Sequence, residues 1–262
     1  MSLLEVSGLG ISFGGLRAVD GVGFTARPGE VTSIIGPNGA GKTTLFNLVS
    51  GVYIADAGAV RIAGREVTGL PPHRLARAGM ARTFQNLRVF PQMTALENVM
   101  TGCHMAERAG LLAGLFGLPG SRAETARSRE AAAAALTRTG LGALAGREAA
   151  ALSYGQLKRL EIARALVTGC SILLLDEPAA GCNAVETREI DDLIHAIAGE
   201  GRTVVLIEHD MRLVMRISAR ILVLDQGRRI AEGAPEEIRE NPRVIEAYLG
   251  AHGAAEARAA HA

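Results

Sequence analysis

Val31-Thr32-Ser33-Ile34-Ile35-Gly36-Pro37-Asn38-Gly39-Ala40-Gly41-Lys42-Thr43-Thr44 decides the fold. Its first five residues form a short apolar run that reads as a buried strand. Leu45, Leu48 and Val49 follow at helical spacing, so the segment is strand, glycine loop, helix. Between strand and helix, Gly36–Thr43 fits GxxxxGK[ST], and the flanking elements are those the motif requires. The glycines let successive backbone N–H groups point at phosphate oxygens, and the helix N-terminus adds partial positive charge. Lys42 is placed to reach the β- and γ-phosphates of a nucleotide, and the Thr43 hydroxyl to ligate Mg²⁺.

A phosphate loop by itself says only that a nucleotide is bound. Ile172-Leu173-Leu174-Leu175-Asp176-Glu177-Pro178 narrows the chemistry. Asp176, ending an apolar strand, is placed to hold Mg²⁺, and Glu177 beside it to orient and deprotonate a water attacking the γ-phosphate. Val204–Ile207 is a second continuous apolar run, and Ile190, Leu193, Ile194 and Ile197 form a helical stripe between the two. Such runs belong to parallel strands covered on both faces and predict an α/β core.

Outside this core, the first 30 residues show β-like pieces at Leu3–Val6, Ile11–Phe13 and Val22–Thr25, separated by glycine-rich turns. From about Asn86 to Ala150 the chain is rich in Ala, Arg and Glu and holds no convincing strand, which predicts a helical insertion. Ile221–Leu224, Asp225-Gln226-Gly227 and Arg228–Ala231 predict a terminal hairpin turning at the glycine. Asn241-Pro242 predicts the cap of a last helix carrying Val244, Ile245, Tyr248 and Leu249, and residues 251–262 predict a frayed tail.

With 262 residues, 28 Lys+Arg against 27 Asp+Glu and 48% hydrophobic residues, the composition is that of a globular chain. Near-zero charge and 3% aromatics without Trp argue against a nucleic-acid partner. Cys103, Cys170 and Cys182 have neither disulfide-framework nor zinc spacing. The longest tempting apolar stretch, Leu111–Leu118, is too short to span a membrane, and the N-terminus predicts no signal peptide.

Leu152-Ser153-Tyr154-Gly155-Gln156 places a capping serine before a helix bearing Leu157, Leu160, Ala163 and Leu166, just upstream of the Asp176-Glu177 strand. With the phosphate loop, this order resembles ABC-type ATPases over nearly the whole chain. The resemblance implies an α/β P-loop NTPase core with a mainly parallel sheet, an N-terminal antiparallel β-subdomain and an inserted helical subdomain near residues 86–165. Together these make one domain over residues 1–250.

The same resemblance implies roles. ATP contacts Phe13, stacking on adenine, and Gly36, Pro37, Asn38, Gly39, Ala40, Gly41, Lys42, Thr43 and Thr44. Glu177, His209 and Gln85 serve catalysis, and Thr43, Gln85 and Asp176 hold Mg²⁺. Two chains face each other head to tail, so that Ser153, Tyr154, Gly155, Gln156 and Asn183 meet the ATP of the opposite subunit.

Finer wording is similar to the LivG-type ATP-binding subunits of bacterial branched-chain amino acid importers. It lies in Arg82–Phe90, Gly110–Pro119, Leu160–Leu166, Asp176–Gly181, Ile207–Met211 and Tyr248–Gly250. Cys182 stands where that family usually has Leu. The implied protein sits on the cytoplasmic face of the bacterial inner membrane. There it joins a second ABC ATPase, two integral-membrane permeases and an extracytoplasmic substrate-binding protein. Leu87, Val89, Phe90 and Met93 are candidates to line a groove for a permease helix. Two other readings stay open: the ATPase of a lipopolysaccharide-type exporter, and a soluble ABC ATPase without a transport role.

Overall fold

β3 (Val31–Ile35), buried along its full length, sits in the middle of a six-stranded sheet whose strands run, in spatial order, Arg228–Gly233, Arg220–Asp225, Val31–Ile35, Thr203–Ile207, Ile172–Asp176 and Met80–Arg82. The computed structural model describes residues 2–83, 87–105 and 119–248. In chain order, β1 (Leu4–Phe13) and β2 (Leu16–Ala26) precede β3, and α1 (Lys42–Val49) follows it. Next come β4 (Ala57–Ile62), β5 (Arg65–Glu66), α2 (Pro72–Arg77) and β6 (Met80–Arg82). The helical stretch then holds α3 (Ala95–Met100), α4 (Pro119–Arg138) and α5 (Tyr154–Leu166). β7 (Ile172–Asp176), α6 (Ala184–Gly199), β8 (Thr203–Ile207), α7 (Met211–Ile217), β9 (Arg220–Asp225), β10 (Arg228–Gly233) and α8 (Pro235–Arg239) follow. A last helix, α9, covers residues 242–248.

The expected parallel core is present. β3 pairs in parallel with both β8 and β9, and β8 pairs in parallel with β7. β7 and β8 are buried at all five positions, which is why their sequences run apolar without alternation. Phe46 of α1 is fully buried in the core that includes Ile34, Leu174, Val205 and Leu222. Full burial of such a side chain contributes about 1.5–3 kcal/mol.

The N-terminal reading needs correction. The pieces Leu3–Val6, from its second residue on, and Ile11–Phe13 belong to one ten-residue strand, β1, which pairs antiparallel with β2 and β4 in a four-stranded sheet of order β2-β1-β4-β5. The glycines between them make a bulge instead of a turn: the β1–β4 register slips between Ser7 and Gly10. Gly58 of β4 lies so near that a Cβ there would come within 2.4 Å of the Gly8 backbone.

The terminal hairpin forms as expected, with Asp225 opposite Arg228. Its turn uses two left-handed residues, Gln226 at φ 45° and Gly227 at φ 77°, the backbone of a two-residue hairpin turn that matches strand twist. Asn241 caps α9, its side-chain carbonyl accepting from the Arg243 N–H at 3.0 Å. β4, β5, α2, β6, α7 and α8 were not anticipated.

The chain divides into two compact units, one of Met1–Met80, Ser171–Glu177 and Ile194–Ala262, the other of Ala81–Cys170 and Pro178–Leu193. The second has its own core, in which Val99, Leu136, Leu141 and Leu160 are fully buried or nearly so. Its entry loop is held by Asn98, itself fully buried. The Asn98 amide donates to the carbonyls of Phe90, Met93 and Thr94 at 3.0, 3.2 and 3.0 Å, and its side-chain oxygen accepts from the Phe90 N–H at 2.8 Å. Phe90 and Met93 stay exposed, whereas Val89 packs on the core. Leu111–Leu118 and the tail 251–262 lie outside the described residues, as does Gly110–Pro119 but for its last residue. Among the described residues, no helix is long and apolar enough to cross a membrane.

Candidate nucleotide site

The glycine loop leaves β3 at the carboxyl end of the parallel strands, where open α/β sheets hold their ligands. Gly36 adopts φ 151°, and a Cβ there would stand 2.1 Å from the Leu224 carbonyl oxygen. Gly41, at φ 95°, opens α1 as its N-cap without any side-chain cap hydrogen bond. The first N–H groups of α1 therefore carry no side-chain acceptor, which is what an incoming phosphate requires. They open on a cavity of about 730 Å³ lined by Leu16–Ala18, Asn38–Thr44, Glu177 and the Gln226-Gly227 turn.

Lys42 folds back over its own loop, donating to the carbonyls of Gly36 at 2.6 Å and Pro37 at 3.0 Å. Burial pushes its ammonium pKa down, with Glu177 pulling the other way. A cation already desolvated and held by carbonyls strengthens its pairing with phosphate. Asn38, Gly39 and Thr43 are exposed, Pro37 and Thr44 half-buried, and Ala40 buried.

The acidic pair stands at the same sheet edge. Asp176, 4% exposed, ends β7 opposite Ile207 of β8. Glu177 leaves the strand with φ 48°, a left-handed conformation that costs a side-chain-bearing residue roughly 1–2 kcal/mol. Its N–H is fixed to the Ile207 carbonyl at 3.0 Å, and its carboxylate lines the cavity. His209 follows β8, its Nδ1 3.8 Å from a Glu177 carboxylate oxygen and 3.8 Å from one of buried Glu208. Asp210 next to it caps α7, accepting from the N–H of Arg212 at 2.8 Å, so His209 sits between two anchored residues.

Phe13, 45% exposed, meets Tyr53 edge-on at 5.4 Å between ring centroids. The Tyr248 phenol of α9 is pushed above its usual pKa by burial, with the Gly36 N–H beside it pulling the other way.

Ser153, Tyr154, Gly155, Gln156 and Asn183 lie in the second unit. Ser153 is the N-cap of α5 in a reciprocal box: its hydroxyl accepts from Gln156 N–H at 3.3 Å and the Gln156 side chain accepts from Ser153 N–H at 2.9 Å. Tyr154 is 43% exposed. Asn183 turns its side-chain oxygen to the N–H groups of Val185 and Glu186, opening α6. Gln85 lies outside the described residues.

Sequence reading missed Glu186. Its Oε1 accepts from the Ser153 hydroxyl at 2.9 Å and the Gly155 N–H at 3.1 Å, and its Oε2 from the Asn183 N–H at 3.2 Å. The Ser153 hydroxyl first, then the Asn183 and Gly155 N–H groups, hold its carboxyl below the usual range. The Asn-x-x-Glu spacing from Asn183 to Glu186 was the available signal, since it marks a capping box.

Among the described residues no group of three or more His, Cys, Asp or Glu is arranged to hold a metal. The Thr43 hydroxyl and the Asp176 carboxylate are oxygen donors of the kind that suits Mg²⁺, which keeps waters and takes one carboxylate, a hydroxyl and substrate phosphates in place of a protein cage.

Comparison with known proteins fits this geometry. The family profile described as ABC transporter matches residues 19–180, and one described as Branched-chain amino acid ATP-binding cassette transporter matches residues 228–254. The high-affinity branched-chain amino acid transport ATP-binding protein BraF of Pseudomonas aeruginosa is 51% identical over 249 residues, 95% of this chain and 98% of that protein. LivG of Escherichia coli, described in the same words, is 48% identical over 249 residues, again 95% and 98%. A solved ADP conformation of an ATP-binding cassette of an ABC transporter matches with TM-score 0.84 and 33% identity, covering 95% of this chain and 99% of that one.

Proposed function

The chain belongs to the ABC transporter family, and on that premise we propose that it is the ATP-binding and hydrolysing subunit energising uptake of branched-chain or related amino acids through partner permeases. The observation that carries the substrate class is its 51% and 48% identity, over 95% of its length, to ATP-binding proteins of high-affinity branched-chain amino acid transport. As the ATP-binding proteins it resembles are named for transport, we read it as a peripheral subunit of a membrane transporter. We assign it to the cytoplasmic face of the inner membrane, with two integral-membrane permeases and an extracytoplasmic binding protein.

ATP enters the cavity over the glycine loop. Phe13 offers its exposed ring to adenine, the N–H groups of Gly36–Thr44 seat the phosphates, and Lys42 exchanges its loop carbonyls for phosphate oxygens. Thr43, Asp176 and Gln85 would hold Mg²⁺, which when bound would supply charge neutralisation to the phosphates. Glu177 takes a proton from the water that attacks the γ-phosphorus. The bond to the β–γ bridging oxygen breaks, and its electron pair leaves with ADP. His209 contacts the same phosphate in cis and senses its presence. Ser153, Tyr154, Gly155, Gln156 and Asn183 of a second ATPase subunit complete the site, so ATP holds two chains together and hydrolysis releases them. Phe90 and Met93, exposed on the Asn98-braced loop, carry that movement to a permease helix.

The test is uptake of labelled leucine, isoleucine and valine by native cells lacking this chain. Uptake falls and is restored by the wild-type chain, while Lys42→Ala fails to restore it. Undiminished uptake of all three in the deleted cells overturns the substrate class.

A further inference from the structure

Glu186 lies at the meeting of two helix N-termini, those of α5 and α6. One of its carboxylate oxygens completes a capping box on α6 through Asn183, an ordinary structural duty. The other oxygen has no part in that box. It lies on the Ser153 hydroxyl and the Gly155 N–H, the donors at the positive end of α5. Fit there is close: a Cβ on Gly155 would stand 2.5 Å from the Glu186 carboxyl carbon. All of these groups belong to one compact unit, so the contact is a property of a single chain.

We propose that Glu186 is an internal stand-in for phosphate: in the chain without a partner its carboxylate occupies the seat at the N-terminus of α5, and it must leave when ATP carried by an opposing subunit closes onto that seat. This rests on the head-to-tail, two-chain reading given above. Two anions cannot share one hydroxyl and one N–H, since the second would meet both like charge and spent donors. Closure therefore requires the Glu186 side chain to rotate off α5, while its backbone stays tied to Asn183. The contact sets a threshold. It keeps the seat filled between cycles, and it raises the ATP concentration at which two chains associate.

The experiment uses the full chain carrying Glu177→Gln, to slow hydrolysis, with and without Glu186→Gln or Glu186→Ala. Dimerisation is followed by sedimentation velocity across an ATP titration, and ATP binding to the lone chain with a fluorescent ATP analogue. Glu186→Gln should lower the ATP midpoint of dimerisation about fivefold, the order expected from removing one charged contact at a helix N-terminus. Binding to the lone chain should stay as it was, because the seat serves the partner's nucleotide. Glu186→Ala should shift the midpoint the same way even where loss of the α6 cap lowers the melting temperature. A residue that only capped α6 would lower the melting temperature in both variants and leave the midpoint unmoved or raised. Dimers with equal midpoints overturn this inference alone. ATP-bound chains that never dimerise, with or without Glu186, overturn the two-chain reading and this inference with it.

Discussion

Gly41→Ala and Gly39→Ala form a matched pair that tests how the phosphate loop is built. Both glycines are left-handed, at φ 95° and 81°, so an alanine at either costs roughly 1–2 kcal/mol of backbone strain. They differ in what the new methyl meets. At Gly39 there is nothing within 4 Å, whereas at Gly41 the Cβ would stand 2.5 Å from the Ala18 carbonyl oxygen of β2, against an ordinary contact of 3.4–4 Å. Relief requires the loop and β2 to part by nearly an ångström. That strains the neighbouring bonds from Gly227 N–H to the Ala40 carbonyl at 3.1 Å and from Asp20 N–H to the Gly227 carbonyl at 2.8 Å. Overpacking of this kind costs about 1–3 kcal/mol, so Gly41→Ala should lose about 3–4 kcal/mol in all, and Gly39→Ala about 1–2. The gap of about 2 kcal/mol is roughly 30-fold in the unfolding equilibrium. Urea unfolding followed by circular dichroism reads both variants against the parent. Equal losses, or a larger loss at Gly39, would refute the claim that backbone proximity, and not dihedral strain, fixes Gly41.

Glu177→Gln should keep ATP affinity and slow phosphate release by about 10²–10⁴; an unchanged single-turnover rate removes Glu177 as the base. Lys42→Ala should weaken nucleotide binding itself, measured by calorimetry, and unaltered affinity would take Lys42 out of the phosphate site. Asn98→Ala strands the Phe90 N–H and takes one donor from each of the Phe90, Met93 and Thr94 carbonyls, which keep a backbone N–H, and should cost about 1–3 kcal/mol in a urea titration. Glu97, whose carboxyl the Thr94 N–H and then the Thr94 hydroxyl hold below its ordinary value of 4.5, contributes stability that is present above that value and lost as pH falls through the lowered one. Glu97→Gln should make the urea midpoint fall less steeply as pH drops below 4.5, and parallel curves for variant and parent would deny the cap its role.

Legibility followed how local each feature is. The phosphate loop could be read because strand, glycines, Lys42 and helix are contiguous, and the parallel strands because burial on both faces leaves an uninterrupted apolar run. Gly8 and Gly10 misled, since a glycine written between β-like pieces looks the same whether it turns the chain or bulges it. β5, two exposed residues, and β6, three, are too short to show any period. α2 hides behind Pro71-Pro72, which reads as a break although Pro72 opens the helix. Glu186 was invisible for another reason: its partners Ser153 and Gly155 lie 33 and 31 residues away, and only folding brings them to it.

The contact between Tyr248 and Gly36 joins two scales of relatedness. Gly36 opens a loop common to nucleotide-binding proteins of many kinds, while α9 falls within the segment matching a profile for one kind of transporter. With the phenol beside the Gly36 N–H, the specialised tail and the general engine meet at one residue of the loop. Replacing Tyr248 is then an intervention beside the phosphate loop.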